Sequence, residues 1–210
     1  MAKPHSTIHP IIHAAGAEQR HPAWAVMSDR RRRHTERVGE LLWEWSGVLG
    51  HGTTKRIRWR AAGLLHDALK GESPKTLRPE VVDLDDAEEW PGSLLHGPAC
   101  ASRLRAAGVD DEPLLTAIAH HTTGHSDFRA LGQALYMADY LEPGRRGLVP
   151  ERAEWRRRMP RDWYAVLGEI ATAKIGTLLE RRIPIPAITA GFWQLITAPE
   201  PPPGWPRTGP

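Results

Sequence analysis

Apolar residues recur at intervals of three and four along most of this chain, and nowhere do they alternate as in a half-buried strand. Ser28 and Asp29 read as the cap of a helix whose Val38, Leu41, Leu42 and Trp45 share one face and which stops near Gly50. A second helix is predicted from about Lys55 to Leu69, before the break Gly71-Glu72-Ser73-Pro74. A third runs from about His96 to Gly108, and a fourth from Asp110-Asp111 to Thr122-Thr123-Gly124. The fifth carries Phe128, Leu131, Leu135 and Asp139 and stops at Glu142-Pro143-Gly144. After a basic segment, a long helix covers roughly Asp162 to Arg181 and a shorter one Ala187 to Ile196. Such a succession predicts an all-α helical bundle.

At 210 residues the chain suits one domain with tails. Residues 1–22 read as a disordered N-terminal arm, 23–197 as the folded domain, and the Pro-rich residues 198–210 as an extended tail. His5, His9 and His13 are spaced by four, but Pro4 and Pro10 argue against a helix that would line them up.

The polar residues on the inner helical faces are the informative ones. His34 precedes Val38, Leu41, Leu42 and Trp45 by four, seven, eight and eleven positions, so it heads a buried stripe. His66 follows Ala62 by four, and Asp67 stands beside it in the run Gly63-Leu64-Leu65-His66-Asp67-Ala68-Leu69-Lys70. His121 follows Ile118 by three and Leu114 by seven, whereas His120 points about a quarter-turn away. Asp139 continues the stripe of Leu131 and Leu135, and His96 stands in line with Cys100 and Leu104. A lone inward histidine is usually a hydrogen-bonded core residue, and a lone inward aspartate half of a salt bridge. Here that reading must hold six times, and no Lys or Arg is evident on the same faces. A shared metal site is the better expectation, because a buried carboxylate needs a cation. Mixed imidazole and carboxylate donors suit iron, manganese, zinc or cobalt. Six donors exceed one tetrahedral ion, so two ions about 3.5–4 Å apart, bridged by Asp67, are expected.

Composition removes other classes. One cysteine, Cys100, excludes an internal disulfide and a Cys-based metal site, and fits a cytoplasmic setting. No apolar run approaches a membrane span, and the first residues hold no secretory signal. A net charge of +3 suits an anionic ligand such as a nucleotide; nucleic acid is not expected. The run Arg30 to Arg33 winds around its helix, so most of it should be solvated.

The order His34, His66-Asp67, His96, His121, Asp139 resembles the HD-domain metal-dependent phosphohydrolases. The segments GLLHDALKG, LLHGPA, HHTTG and ALYMADYLEPGR, in that order, resemble the YqeK branch, the symmetrical bis(5'-nucleosyl)-tetraphosphatases. The resemblance covers about residues 23 to 195. It implies an HD-domain bundle over 23–197 that cleaves diadenosine tetraphosphate into two ADP. It implies metal ligands at His34, His66, Asp67 and Asp139, with His96 and His121 completing the site as ligands or phosphate contacts. Iron is the implied metal and manganese a substitute. The nucleotide would be held by Lys70, Gly71, Glu72 and Ser73, then Tyr140 and Arg145, and a homodimer is compatible with the family.

A metal in such a site supplies hydroxide near neutral pH for attack on an inner phosphorus. Lys70 and Arg145 would neutralise phosphoryl charge, and His120 or His121 would donate a proton to the leaving group. This chain departs from the family at His120, where an aromatic is usual. It departs again at IPIPAITAGFWQ, which lacks the family's His-Pro-x-Thr pattern and later Asn. Two alternatives stand beside this reading: another HD-type nucleotide phosphohydrolase, and a catalytically silent nucleotide-binding regulator.

Overall fold

A computed structural model describes residues 8–81 and 90–198, and among these there are helices and turns and no strand. The ten α-helices are α1 (Pro10–Gly16), α2 (Asp29–Val48), α3 (Thr53–Leu65), α4 (Pro74–Leu77), α5 (His96–Ala106), α6 (Glu112–His120), α7 (Ala130–Leu141), α8 (Val149–Arg158), α9 (Trp163–Glu180) and α10 (Ala187–Thr197). The caps are those the sequence announces. Ser28 Oγ accepts from the Arg31 amide at 3.3 Å, and Asp111 Oδ1 from the Leu114 amide at 3.2 Å.

At the centre lies α7, in which every residue from Leu131 to Leu141 is buried. A helix buried all round carries no polar face, so Gln133 and Asp139 on it must find partners inside the protein. Gln133 does so by accepting from Trp163 Nε1 at 2.7 Å and donating to the Phe128 carbonyl at 3.2 Å. Against α7 pack α2, α3, α6, α8 and α9. Phe192 of α10 closes the bundle edge-on against Phe128 and Tyr136.

Two close helix approaches set the site. A Cβ on Gly63 of α3 would stand 2.5 Å from Gly39 Cα, so α2 and α3 touch backbone to backbone. A Cβ on Gly97 of α5 would stand 2.7 Å from the Ala119 carbonyl oxygen of α6. The first joins the helix that carries His34 to the one that ends before His66, and the second joins the helix that His96 opens to the one that ends before His121.

The structure departs from expectation in three places. Residues 10–16, expected within a disordered arm, form α1, with Ile12 and Ala15 buried against α3. Pro10 occupies the first turn, where its missing N–H costs nothing, and His9 Nδ1 caps the Ile11 amide at 3.3 Å. The helix expected to reach Leu69 ends at Leu65. Past His66 the backbone bonds Val26 instead: Ala68 O accepts from Val26 N, and Gly71 N donates to Val26 O, both at 2.8 Å. The basic segment after Gly144 forms α8. Residues 1–7 of the expected arm, and nearly all of the expected Pro-rich tail, lie outside the described residues.

Candidate metal centre

His34 leaves α2, His66 and Asp67 occupy the turn after α3, His96 opens α5, His121 ends α6, and Asp139 sits in the last turns of α7. All six are buried, with His66 fully enclosed. Nε2 of His34 lies 3.0 Å from Asp139 Oδ1 and 3.3 Å from Nε2 of His66. Nε2 of His96 lies 2.9 Å from Asp67 Oδ1 and 3.2 Å from Nε2 of His121. The carboxylate of Asp67 spans the two halves. Its Oδ1 faces His96 and His121, and its Oδ2 lies 3.6 Å from His34 and 3.5 Å from His66.

The other ring nitrogen of each histidine is already committed. Nδ1 of His66 bonds the Gly63 carbonyl at 2.7 Å, that of His96 the Ser93 carbonyl at 3.0 Å, and that of His121 the Ile118 carbonyl at 2.8 Å. Nδ1 of His34 bonds Glu142 Oε1 at 3.1 Å. Carbonyl and carboxylate oxygens only accept, so each Nδ1 carries a proton and each ring turns its Nε2 to the centre. The Nε2 atoms of two histidine pairs lie 3.2–3.3 Å apart, a spacing that calls for a cation or a proton between them. Histidines so held are ready-made metal ligands. Two triads, His34–His66–Asp139 and His66–Asp67–His121, bring ligand atoms within 4.8 Å of one another, and His66 belongs to both.

Electrostatics agree with a site built for cations. Burial tends to raise the pKa of Asp67, but the charge of His66 and the hydrogen bonds of His121, His66 and His96 hold it well below the usual range. Burial tends to raise that of Asp139 as well; Arg145 and the histidines outweigh it. Burial pushes His121 down to about 4, against its hydrogen bond to Asp67, and keeps it neutral.

Two arginines reach in, which overturns the expectation of inner faces free of Lys and Arg. Arg31 NH1 lies 2.5 Å from Asp67 Oδ2, and Arg145 pairs with Asp139 while its Nε donates to the Asp139 carbonyl at 2.6 Å. Salt bridges alone would not explain four imidazole Nε2 atoms converging on one place. Arg31 stands three residues before His34, so the stripe spacing could have found it.

Lys70 packs on the His96 ring, 3.3 Å from Nδ1, and donates to the Ser93 carbonyl at 3.2 Å. His120 turns away from the cluster, toward His125 and Trp90. Burial and the neighbouring His125 and His121 lower its pKa to about 3. A cavity of about 440 Å³ opens on the cluster, lined among others by Asp67, Lys70, His121, Tyr140 and Arg145. Gly71, Glu72 and Ser73 are not in that lining. Gly71 instead packs on Val26, and Ser73 caps α4 through the Thr76 amide at 3.2 Å. Sequence reasoning missed Glu142, which holds His34, and Lys174, which lines the cavity. Lys174 follows Ile170 by four and Leu167 by seven, so the α9 stripe contained the signal.

Comparison with known proteins follows the same residues. The HD domain family model matches residues 31–144, from Arg31 at the cluster to Gly144 beside Glu142. The chain belongs to the HD domain family. HD domains are metal-dependent, and the cluster is the candidate metal site of this one. Three similar proteins are named symmetrical bis(5'-nucleosyl)-tetraphosphatase. That of Staphylococcus aureus is 32% identical over 124 residues, 57% of this chain and 62% of its own length. That of Halalkalibacterium halodurans is 29% identical over 81% of this chain and 91% of its own length. That of Bacillus subtilis is 32% identical over 57% of this chain and 64% of its own length. The match thus spans less than two thirds of the Staphylococcus and Bacillus proteins. An HD superfamily hydrolase of Clostridium acetobutylicum, described as involved in NAD metabolism, superposes with a TM-score of 0.72 at 26% identity, over 81% of this chain and 90% of that one.

Proposed function

We propose that this HD domain hydrolyses a dinucleoside tetraphosphate, diadenosine tetraphosphate in the first instance, symmetrically into two nucleoside diphosphates. The observation that carries the reading is the double triad around His66, beside a cavity bearing Lys70 and Arg145. The names of the three similar proteins support the substrate class.

Four imidazoles and two carboxylates fit mid-row divalent metals, and iron, with manganese in its place, is the proposed cofactor. His34, His66 and Asp139 would hold one ion, and Asp67, His96 and His121 a second. When bound, such a pair supplies hydroxide at neutral pH and neutralises phosphoryl charge. The chain's own residues do the rest. Arg31 and Arg145 lie against Asp67 and Asp139, where the scissile phosphates would come to rest. Lys70 and Lys174 add positive charge on the cavity wall, favouring the more highly charged transition state. Buried neutral His121 donates through Nδ1 to the Ile118 carbonyl, and Thr122 Oγ1 stands 3.0 Å from its Nε2; this favours a ligand role over proton donation. His120, turned outward, is not suited to donation either.

The test is product analysis. Protein loaded anaerobically with ferrous iron, or with manganese, is given diadenosine tetraphosphate and the products are separated by ion exchange. ADP alone is the expected outcome. ATP with AMP would keep a hydrolase and reject the symmetrical cut, and no turnover by metal-loaded protein would reject the substrate.

A further inference from the structure

A second, larger cavity of about 960 Å³ also touches the cluster, at His34. Arg31, Tyr140, Arg145 and Thr177 line both cavities, while His34 faces only the larger one and Asp67, His121 and Asp139 only the smaller. The two spaces therefore share a wall of Arg31, Tyr140, Arg145 and Thr177, and each is also lined by candidate metal ligands. The larger one is strongly basic, with seven arginines against Glu142 and Glu180.

These arginines differ in what they are already doing. Arg31, Arg37 and Arg145 each pair with a carboxylate. Arg152 is nine-tenths buried, lies 4.5 Å over the Tyr140 ring and donates to the Arg146 carbonyl at 2.8 Å, but its Nε has no partner. Arg30, Arg146 and Arg181 make no side-chain hydrogen bond or ion pair with any described residue. Three unpaired cations and a buried unsatisfied donor around one concavity are the chemistry of an anion site.

We infer that this basic cleft receives the second nucleoside diphosphate half of the substrate, while the smaller cavity receives the first. The inference rests on the hydrolase reading and deepens it. A symmetrical cut at the middle of a tetraphosphate needs the reacting centre at the midpoint, with room for an equal half on each side. Both volumes fall within the range of about 300–1,000 Å³ usual for small-molecule sites. Arg31 and Arg145, on the shared wall, hold the inner phosphates. Arg146 and Arg181 hold the outer phosphate of the second half, and the Tyr140–Arg152 pair forms the floor beneath it.

The experiment uses ADP, the product of both halves, as probe. Equilibrium dialysis against manganese-loaded protein should find two ADP bound per chain. The double variant Arg146→Gln with Arg181→Gln should bind one, and its KM for diadenosine tetraphosphate should rise about tenfold or more, the loss of roughly one good charge-assisted contact. A charge-matched control, Arg157→Gln with Arg161→Gln, removes two exposed cations outside the cleft and should bind two. One ADP per wild-type chain, or two per chain in the cleft variant, would overturn the second site. Two ADP bound by a wild type that cleaves no dinucleoside tetraphosphate would leave the site standing and reject the reaction.

Discussion

Glu142 holds one edge of the candidate metal centre with both carboxylate oxygens. Oε1 fixes Nδ1 of His34, while Oε2 accepts from Arg37 Nε at 2.5 Å and from the Gly144 amide at 2.7 Å. Burial tends to raise its pKa, but His34, Arg37 and the Gly144 amide bring it down to about 2, so it is ionised at any working pH. Glu142→Gln can present an amide nitrogen to His34 and frees the ring to turn; metal affinity should fall about 10–100-fold, read by metal titration. Unchanged affinity would mean that packing alone orients the ring. Lys174 carries a second prediction. Its Nζ lies over the Tyr136 ring, and burial, opposed by Asp139 and aided by Arg145, lowers its pKa to about 7. The amine is cationic below that pH and neutral above it, so kcat/KM for an anionic substrate should fall as pH rises through about 7. Lys174→Arg keeps the charge and should move that limb to higher pH; an unmoved limb would assign it to another group. His34, His66, His121 and Asp139 were legible because each continues an apolar stripe. Glu142 was not, because its Glu-Pro-Gly context reads as a helix stop, and its partner lies 108 residues away.

At the scale of elements, glycine contacts assemble each half of the site. Gly63 does two things: it lets α3 touch α2, and its carbonyl fixes the His66 ring. Gly63→Ala would place a Cβ against the backbone of Gly39, which no rotamer change relieves. The helices must part, at about 1–3 kcal/mol. Urea denaturation should show that loss, together with weaker metal binding as His34 and His66 separate. Full stability in the variant would show that the α2–α3 contact is slack. The end of α3 was misjudged for a related reason. The periodicity continues through Leu69, but Val26 captures the backbone of Ala68 and Gly71 and turns the chain at His66. A helix continued to Leu69 would not set Asp67 in the turn that faces it to both halves. For α1 the difference runs the other way: Pro10 in the sequence reads as a breaker, whereas at a first helical turn it is well tolerated.

Across the whole molecule the candidate ligands come from five places in the chain, between His34 and Asp139. An ion bound to all of them ties these segments together in the native state only, so binding adds to folding stability. Manganese at about 100 times its dissociation constant should contribute ~2.7 kcal/mol. For a chain of this size that is a rise in Tm of roughly 5–10 °C, reversed by a chelator. A Tm unmoved by ions that are demonstrably bound would place them outside the cluster. The sequence by itself determined the all-α class, the caps of α2 and α6, the inward histidines and Asp139, and the HD family, since helical spacing and local motifs are written along the chain. Only the tertiary structure decided that Arg31 meets Asp67, that Glu142 holds His34, that Gly71 packs on Val26 while Ser73 caps α4, and that two cavities share the wall of Arg31, Tyr140, Arg145 and Thr177. Those facts depend on how helices far apart in sequence cross, and no local period records a crossing.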